Sequence, residues 1–550
     1  MRINLDEMPL NTPFSYDVAI LGSGPAGMTV CRELSDAGLK IVVVESGDMK
    51  PTSEANELRM IETHGMGIKE YSRERIVGGT STTWSGLAAP LDPVDFERRS
   101  FLKVDGWPIE YEALQPYWAA ASERYGFPPV HLFNDFKALR KESALRPEWK
   151  CIEEKIFLAA TPSQHFAKKW GNLFESKIDL LTNATVSELQ GKKNGKKIKN
   201  ALIVSTLHPE QTYVLHARFF ILATGGIENA RLLIASQDLC PQGLGNEHDQ
   251  VGRYFMNHPK SYYGILTLKR PIRESTYFFG CLKEGYAGYA GLRLRDDFQK
   301  KHHLLNSYIR FEPLFPWSNN QGIEAAIFLM KKMQTPFQLW RRLKSKASIP
   351  LRDYSETGDD SDLQNQPKTV MDWVRLFFLI FFNMPRIFQY LHSRFFSRKA
   401  PLIRRIRLRN FIEMEPREEN RVLLSLSRNR LGQPLAKVDY TTSELDQKSL
   451  IALHAQLQKE FEGQGLGMLD SHLEAAQPWP IDQDASHHLG ATRMGNHPHT
   501  SVVNPDLRLH SIENVYVTGG SVFPVSGCAN PTYTICALSI RLAEHLKKVL

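Results

Sequence analysis

Gly22, Gly24 and Gly27 stand in the order G-x-G-x-x-G, and an acid, Glu45, follows them. Residues of these types at this spacing can hold a dinucleotide. The first glycine permits a tight turn. The second lets a pyrophosphate approach the backbone, and the third lets a helix pack close to a sheet. Ser23 and Ala26 complete the turn. Glu45 lies about 20 residues beyond the glycines, where a carboxylate can accept both ribose hydroxyls, with Ser46 next to it. Two stretches near the other end of the chain gather a different chemistry. Residues 486–495 read SHHLGATRMG, and residues 514–534 read NVYVTGGSVFPVSGCANPTYT. A histidine is the side chain suited to taking a proton near neutrality. A carboxamide such as Asn530 can hydrogen-bond an oxygen that gains negative charge.

The elements around these residues fall in register. Residues 18–21 form a short apolar run suited to a buried strand, and residues 41–44 form a second, β-branched one. The helix between them aims its amides and positive dipole end at the phosphates. Residues 180–186 read as one strand, and residues 201–206 and 212–216 as paired antiparallel strands beyond the turn signal Asn194-Gly195. Residues 219–223 then run into Thr224-Gly225-Gly226, a second glycine-rich strand-to-turn, followed by a helix over 229–235. A β-meander ending in A-T-G-G favours FAD over NAD. Residues 515–517 read as a parallel strand with Gly519-Gly520 as its turn, and Thr532 begins a helix. Residues 120–175 read as mixed helix and loop.

Residues 75–90, RIVGGTSTTWSGLAAP, carry glycines and small hydroxyl residues that can lie flat against a ligand, with Trp84 as a planar face. Placed after the glycine fingerprint, VGGTSTTW resembles the flavin-facing segment of the glucose–methanol–choline (GMC) oxidoreductases, nearest the pyranose oxidase and bacterial sugar dehydrogenase branch. LDPVDFE and GWPIEYEALQPYW resemble the early helical part of that branch. The resemblance covers about 15–320 and 410–550. It implies FAD contacts at Gly79, Thr80, Ser81 and Thr83, at Thr224 and Gly225, and at Gly519, Gly520, Asn530 and Thr532, with backbone contact to the adenine at Val186. In pyranose oxidases the matching S-T-H-W bears a histidine bound covalently to the flavin. Here Thr83 takes that position, which implies noncovalent FAD.

The family pattern H-x-x-G-T-x-x-M-G places its histidine at His487, with Ala491 where threonine is usual. Asn530, in A-N-P-T, matches the second catalytic position. The resemblance therefore implies that His487 takes a hydroxyl proton, Asn530 orients the hydroxyl, and the carbon's hydride goes to flavin N5. His488 is expected to support His487 from behind, and His258 to be structural.

The expected fold class is α/β plus β: a discontinuous Rossmann-like FAD-binding domain (15–100, 178–258 and 486–550), an antiparallel-sheet substrate domain (101–177 and 259–485), and a helical, basic and apolar insertion over 320–410. Strands near 421–427 and 436–440 are expected in the substrate sheet. At 550 residues the chain needs more than one core. Six scattered cysteines without C-x-x-C pairs fit neither a metal site nor a disulfide framework and suit a reducing cytosol. The net charge of +8 is concentrated in 341–409, so nucleic acid is not the expected partner. Within that region WVRLFFLIFF is too short to span a bilayer and too apolar for a solvated helix. Arginines flank it, and residues 353–362 form an acidic loop. It reads either as a surface for a membrane or redox partner protein through 370–409, or as a buried insertion. The expected location is cytoplasmic, with the inner membrane face as the alternative. The leading reading is an FAD-dependent enzyme oxidising a CH–OH group of a sugar, glycoside or cyclitol. Two others stay open: a non-redox flavoprotein lyase, and a membrane-associated subunit passing electrons to a quinone or cytochrome.

Overall fold

The structure is a computed structural model, and it describes all residues except 135–144, 161–162, 177, 192–194, 282–285, 316, 319, 333–369 and 396–400. The acidic loop at 353–362, Asn194 and Arg398 lie outside the described residues.

Parallel strands build the nucleotide side. Arg2–Asn4, Asp179–Thr182, Ile41–Val44, Phe14–Leu21, Thr212–Leu222 and Val515–Val517 lie side by side in that order. Ile41–Val44 is IVVV and is buried along its whole length, as a β-branched strand covered on both faces should be. Thr212–Leu222 has two partners on one side. Its first half pairs antiparallel with Ile198–Ser205, which pairs in turn with Ala184–Gly191. Its second half pairs parallel with Val515–Val517. One strand thus belongs to both the parallel sheet and the meander.

The single strand expected over 180–186 is two. Asn183 has φ +54°, and the left-handed turn there sends Asp179–Thr182 into the parallel sheet and Ala184–Gly191 into the meander. Asparagine tolerates this conformation because its short side chain bonds locally. Asn183 Nδ2 donates to Asn4 Oδ1 at 3.0 Å.

The second large sheet is antiparallel, in the order Gly467–Asp470, Lys260–Ile272, Ile403–Phe411, Tyr308–Leu314, Tyr286–Leu294, Ile152–Ala160 and Leu87–Ala88. Glu444–Gly463 covers it. Ser443 and Asp446 cap that helix reciprocally, and Leu450, Leu453, Leu457 and Phe461 form its buried stripe. Ile152–Ala160 corrects the expected helix and loop, pairing along its length with Tyr286–Leu294. Leu87–Ala88 joins this sheet rather than the nucleotide side. Conversely, the helix Tyr111–Tyr125 packs on the nucleotide side, where Trp118 Nε1 donates to Thr534 Oγ1 at 3.2 Å and Tyr125 OH to the Thr29 carbonyl at 3.2 Å. Arg421–Arg428 and Pro434–Tyr440 are not in the substrate sheet. They form a separate three-stranded sheet, because Pro434–Tyr440 pairs parallel with Glu62–Gly65.

In the insertion, Gln321–Lys332, Val370–Phe382 and Met384–Phe395 share a small core of Trp317, Ile323, Ile327, Ile387 and Tyr390. Their outer side is not buried: Met371, Phe377 and Phe382 are 75, 64 and 73 % exposed.

Candidate active site

One cleft opens beyond the carboxyl ends of the parallel strands, where ligands bind in sheets of this kind. It encloses roughly 1370 Å³ of empty space, open water at its mouth included. Leu21 to Ala26, Val44 to Ser46, Ala223 to Glu228, Gly519 and Gly520 all line it, so the two glycine turns and the chain's tail share one wall.

The glycines divide by cause. A Cβ on Gly22 would lie 2.6 Å from the Ala223 carbonyl oxygen, and Gly22 has φ +102°. A Cβ on Gly27 would lie 2.0 Å from the Gly22 carbonyl oxygen. Both are demanded by packing. A Cβ on Gly24 would meet nothing within 4 Å. Gly24 leaves space in the cleft itself, as a phosphate pressed to the backbone requires. It also begins the helix Pro25–Leu34 with no side-chain cap, so the first amides face the cleft unclaimed. Glu45 accepts hydrogen bonds from Ser23 N at 3.1 Å, Ser23 Oγ at 2.5 Å and Gly47 N at 3.0 Å. Burial raises its pKa, against these bonds. A fixed acid, bare helix amides and open glycines fit an FAD dinucleotide.

Gly79, Thr80, Val186, Thr224, Gly225 and Thr532 also line the cleft. Gly27, Ser81, Thr83 and Asn530 are not on this wall. Ser81 Oγ donates to the Gly78 carbonyl at 2.6 Å and accepts from Phe166 N at 3.2 Å, so it staples the turn. Thr83 is exposed, because the 3₁₀ turn Gly79–Thr82 carries the chain away.

His487 lines the cleft, and its Nε2 lies 3.3 Å from Asn530 Nδ2. Its Nδ1 lies 2.8 Å from His258 Nδ1. One proton assignment satisfies both contacts. Asn530 donates to His487 Nε2, His487 Nδ1–H donates to His258 Nδ1, and His258 carries its proton on Nε2, which is buried with no hydrogen-bond partner among the described residues. His487 is thereby neutral, with its lone pair at the Asn530 end. Burial, then the fields of His258, Lys260 and His488, holds its pKa well below the ordinary value. Asn530 Oδ1 is buried with no hydrogen-bond partner among the described residues.

The backbone on either side of His487 is bent hard. Ser486 has φ +65°, Gly490 +72° and Ala491 +70°. Left-handed non-glycine residues are costly and gather at functional sites. His488 also lines the cleft, with its Nε2 3.8 Å from Asp484 Oδ1, and burial brings its pKa to about 4.

Three parts of the site were not singled out from sequence. His258, expected to be structural, touches His487 directly. Asn229 pins the two glycine turns together. Its Oδ1 accepts from Thr224 N and Oγ1 at 2.9 and 2.7 Å, while its Nδ2 donates to the Thr518 carbonyl and Ser521 Oγ at 3.1 and 2.9 Å. Its place in the first turn of the helix Glu228–Ala235, directly after Thr224-Gly225-Gly226, was the available signal. The third part is a buried ion network behind Asn530. Arg99 forks onto Glu413 at 2.8 and 2.6 Å, and Glu413 accepts from Asn306 N at 2.5 Å and Gly527 N at 3.3 Å. Lys155 contacts Asp92 at 2.5 Å, and Asn306 Nδ2 donates to Asp92 and Asp95 at 2.9 and 3.0 Å. Burial would raise Asp92, but Arg293 and Lys155 outweigh it and hold it at about 2. Burial, then Asp92 and Glu413, pushes Asp95 up to about 7.

Comparison with known proteins agrees with this geometry. Residues 17–241 match the model of the FAD dependent oxidoreductases, and residues 416–539 match that of the GMC oxidoreductases. The second match holds both His487 and Asn530. The chain belongs to the GMC oxidoreductases. Among GMC relatives, it is 23 % identical to 2-methyl-1,2-propanediol dehydrogenase of Mycolicibacterium austroafricanum, covering 97 % of this chain and 95 % of that one. It is 21 % identical to the fructose dehydrogenase large subunit of Gluconobacter japonicus over 98 % of each. It is 32 % identical to paromamine 6'-oxidase of Streptomyces fradiae over 25 % of each. Among solved structures, pyridoxine 4-oxidase from Mesorbium loti shares the fold, with a TM-score of 0.53, 14 % identity and coverage of 96 and 98 %. As a GMC oxidoreductase the chain binds FAD, and Gly24, Glu45 and the two helix N-termini at Pro25 and Thr532 are the residues that would hold it.

Proposed function

We propose that this GMC oxidoreductase oxidises a CH–OH group of a sugar, glycoside or cyclitol, with His487 as base and Asn530 as the oxygen's hydrogen-bond donor. The contact that carries this reading is His487 Nε2 to Asn530 Nδ2, 3.3 Å, at the cleft. Alcohol oxidation needs a proton and a hydride removed from neighbouring atoms. When bound, FAD supplies the hydride acceptor. His487 is already neutral at pH 7, so its Nε2 can take the hydroxyl proton once the substrate hydroxyl replaces the Asn530 N–H at its lone pair. A carboxamide nitrogen has two N–H groups. The one not directed at His487 can meet the substrate oxygen as negative charge builds there. Once protonated, His487 keeps its bond to His258. Glu413, whose field at His258 favours positive charge, supports the cation from behind. The relatives' names carry a diol, fructose and paromamine, which supports a polyhydroxylated donor. Thr83 has neither an imidazole nor a thiol to bond the flavin, which supports a flavin held without a covalent bond at this position.

The test is anaerobic mixing of the flavin-loaded protein with a panel of sugars, glycosides and cyclitols while following flavin absorbance. Bleaching by one class identifies the donor. If dithionite bleaches the flavin and no alcohol does, the flavin is a structural part and the oxidation reading is lost. Acid precipitation should leave all the yellow colour in the supernatant.

A further inference from the structure

The helix Val370–Phe382 is amphipathic in an unusual sense. Its inner side packs on Gln321–Lys332 so closely that a Cβ on Gly322 would lie 2.6 Å from the Leu379 carbonyl oxygen. Its outer side should carry polar groups if water were its neighbour. Instead Met371, Val374, Phe377, Phe378, Phe381 and Phe382 occupy it, between 43 and 75 % exposed, with Arg375 the one charge among them. Phe377 stacks on Phe381 and Phe378 on Phe382, with ring centroids 6.4 and 6.0 Å apart. The next helix, bent by 68° from the first, continues the surface with exposed Met384, Arg386 and Phe388. Isolated exposed hydrophobics need no explanation, but a contiguous set marks an interaction site.

We infer that this bent helix pair seats the protein on an anionic lipid bilayer, with the phenylalanine rings at the acyl boundary and arginines on the headgroup phosphates. The charge around the patch selects this occupant. Residues 370–409 hold nine Arg and Lys and one acid, Asp372. That surplus equals the net +8 of the whole chain. Arg375 and Arg386 are exposed on the helices themselves, and Arg404 and Arg405 are exposed on the strand beside their root, where Arg405 pairs with Leu314 just before Phe315 of the small core. A second copy of the chain would bring Arg375 and Arg386 against their own images, and like charges oppose that. A bilayer with anionic headgroups satisfies both rings and guanidinium groups.

The surface lies on the bilayer and does not cross it. A helix of 13 residues is about 20 Å long at ~1.5 Å per residue, short of the ~30 Å hydrocarbon core. Among the described residues no single helix is long and apolar enough to span, and although the bent pair reaches the length and composition together, its 68° turn lays both halves along one surface. The basic strand at 403–409 then stays at headgroup level.

The experiment uses the full-length, flavin-loaded protein and flotation with two vesicle types, phosphatidylcholine alone and equal parts of phosphatidylcholine and phosphatidylglycerol. The protein should float with the mixed vesicles and not with the neutral ones, and added salt should weaken binding. The quadruple variant F377S/F378S/F381S/F382S should lose flotation, and R375E/R386E should lose at least about tenfold in partitioning. Both should keep wild-type flavin content and wild-type flavin reduction by the alcohol donor, because all six side chains are exposed and remote from the cleft. Failure of the wild type to float with the mixed vesicles overturns the inference, as does flotation of the quadruple variant at wild-type levels. A dimer in sedimentation that the quadruple variant dissolves, without lipid binding, would instead assign the surface to a second copy.

Discussion

Around Asn306 the chain buries Asp95, Glu413, Arg99, Lys155 and Arg293 and largely covers Asp92, all within reach of one another, whereas on the helices at 370–388 it leaves phenylalanines standing in solvent. The usual distribution of polarity is inverted in both places, for different reasons. The buried charges are satisfied by partners from elements far apart in sequence. Such a network tolerates one arrangement only, since removing any member strands another in a medium of low dielectric. It ties the substrate sheet to Gly527, three residues before Asn530, and so fixes where the carboxamide stands. The exposed rings stack on one another and, among the described residues, still leave half or more of their surface to water. They are explained by something that covers them from outside. One inversion sets geometry, and the other sets address.

Changes in the interior should therefore be large and changes in the exterior small, in free solution. The largest effect is expected for His487→Ala. The yellow colour should remain, while the rate of flavin bleaching by substrate falls about 10²- to 10⁴-fold, the usual contribution of a positioned base. Wild-type enzyme should show its acid limb below pH 6.5, because burial keeps His487 neutral down to more acid solution. A limb at or above that pH would mean the base is another group. Arg99→Ala comes next. It leaves Glu413 charged and buried, at a cost of about 3–5 kcal/mol, read as a lower urea midpoint. An Arg99→Leu/Glu413→Leu pair should recover much of that loss. If the single variant unfolds like wild type, the network does not set the geometry.

A third effect comes from the buried histidines. Burial holds His258 and His488 at about 4 and His454 at about 3. The unfolded chain takes up protons on all three below about pH 6.5, and the folded chain does not until far lower. Stability should consequently fall as pH drops from about 6.5 towards 4, and His454→Gln, remote from the cleft, should flatten that slope in urea titrations. The smallest effect is expected outside. Phe378→Ser/Phe381→Ser should change stability by no more than about 0.5 kcal/mol when no lipid is present. A large loss would show that these rings have internal partners and would erase the contrast.

The nucleotide half of this architecture was legible because its signals are local. Gly22, Gly24, Gly27, the IVVV strand and Glu45 fall within one supersecondary unit. The fold class followed from it, while FAD rather than NAD followed from the meander that ends in Ala223-Thr224-Gly225-Gly226 and from the resemblance carried by VGGTSTTW. What sequence hid was long-range. His258 and His487 are 229 residues apart, and Arg99 and Glu413 are 314 apart. Charged residues read one at a time look like solvated surface. That habit also concealed Ile152–Ala160, whose Glu153, Glu154 and Lys155 mask a strand; Lys155 is in fact buried on Asp92. Asn183 was readable in principle, since asparagine between two apolar runs permits the turn that divides them. The aromatic run was visible as an anomaly, but only the packing of Gln321–Lys332 shows which side of it faces out.

The position of Val515–Val517 against the second half of Thr212–Leu222 carries a consequence for biosynthesis. A nascent chain that has emerged from the ribosome only as far as residue 480 has its N-terminal glycine turn, yet it lacks the strand, the turn at Gly519 and the helix that close the cofactor groove. Half an edge of Thr212–Leu222 waits unpaired until then. The N-terminal glycine turn and the tail line one groove, so a bound flavin can meet its full set of contacts only after the tail has been released.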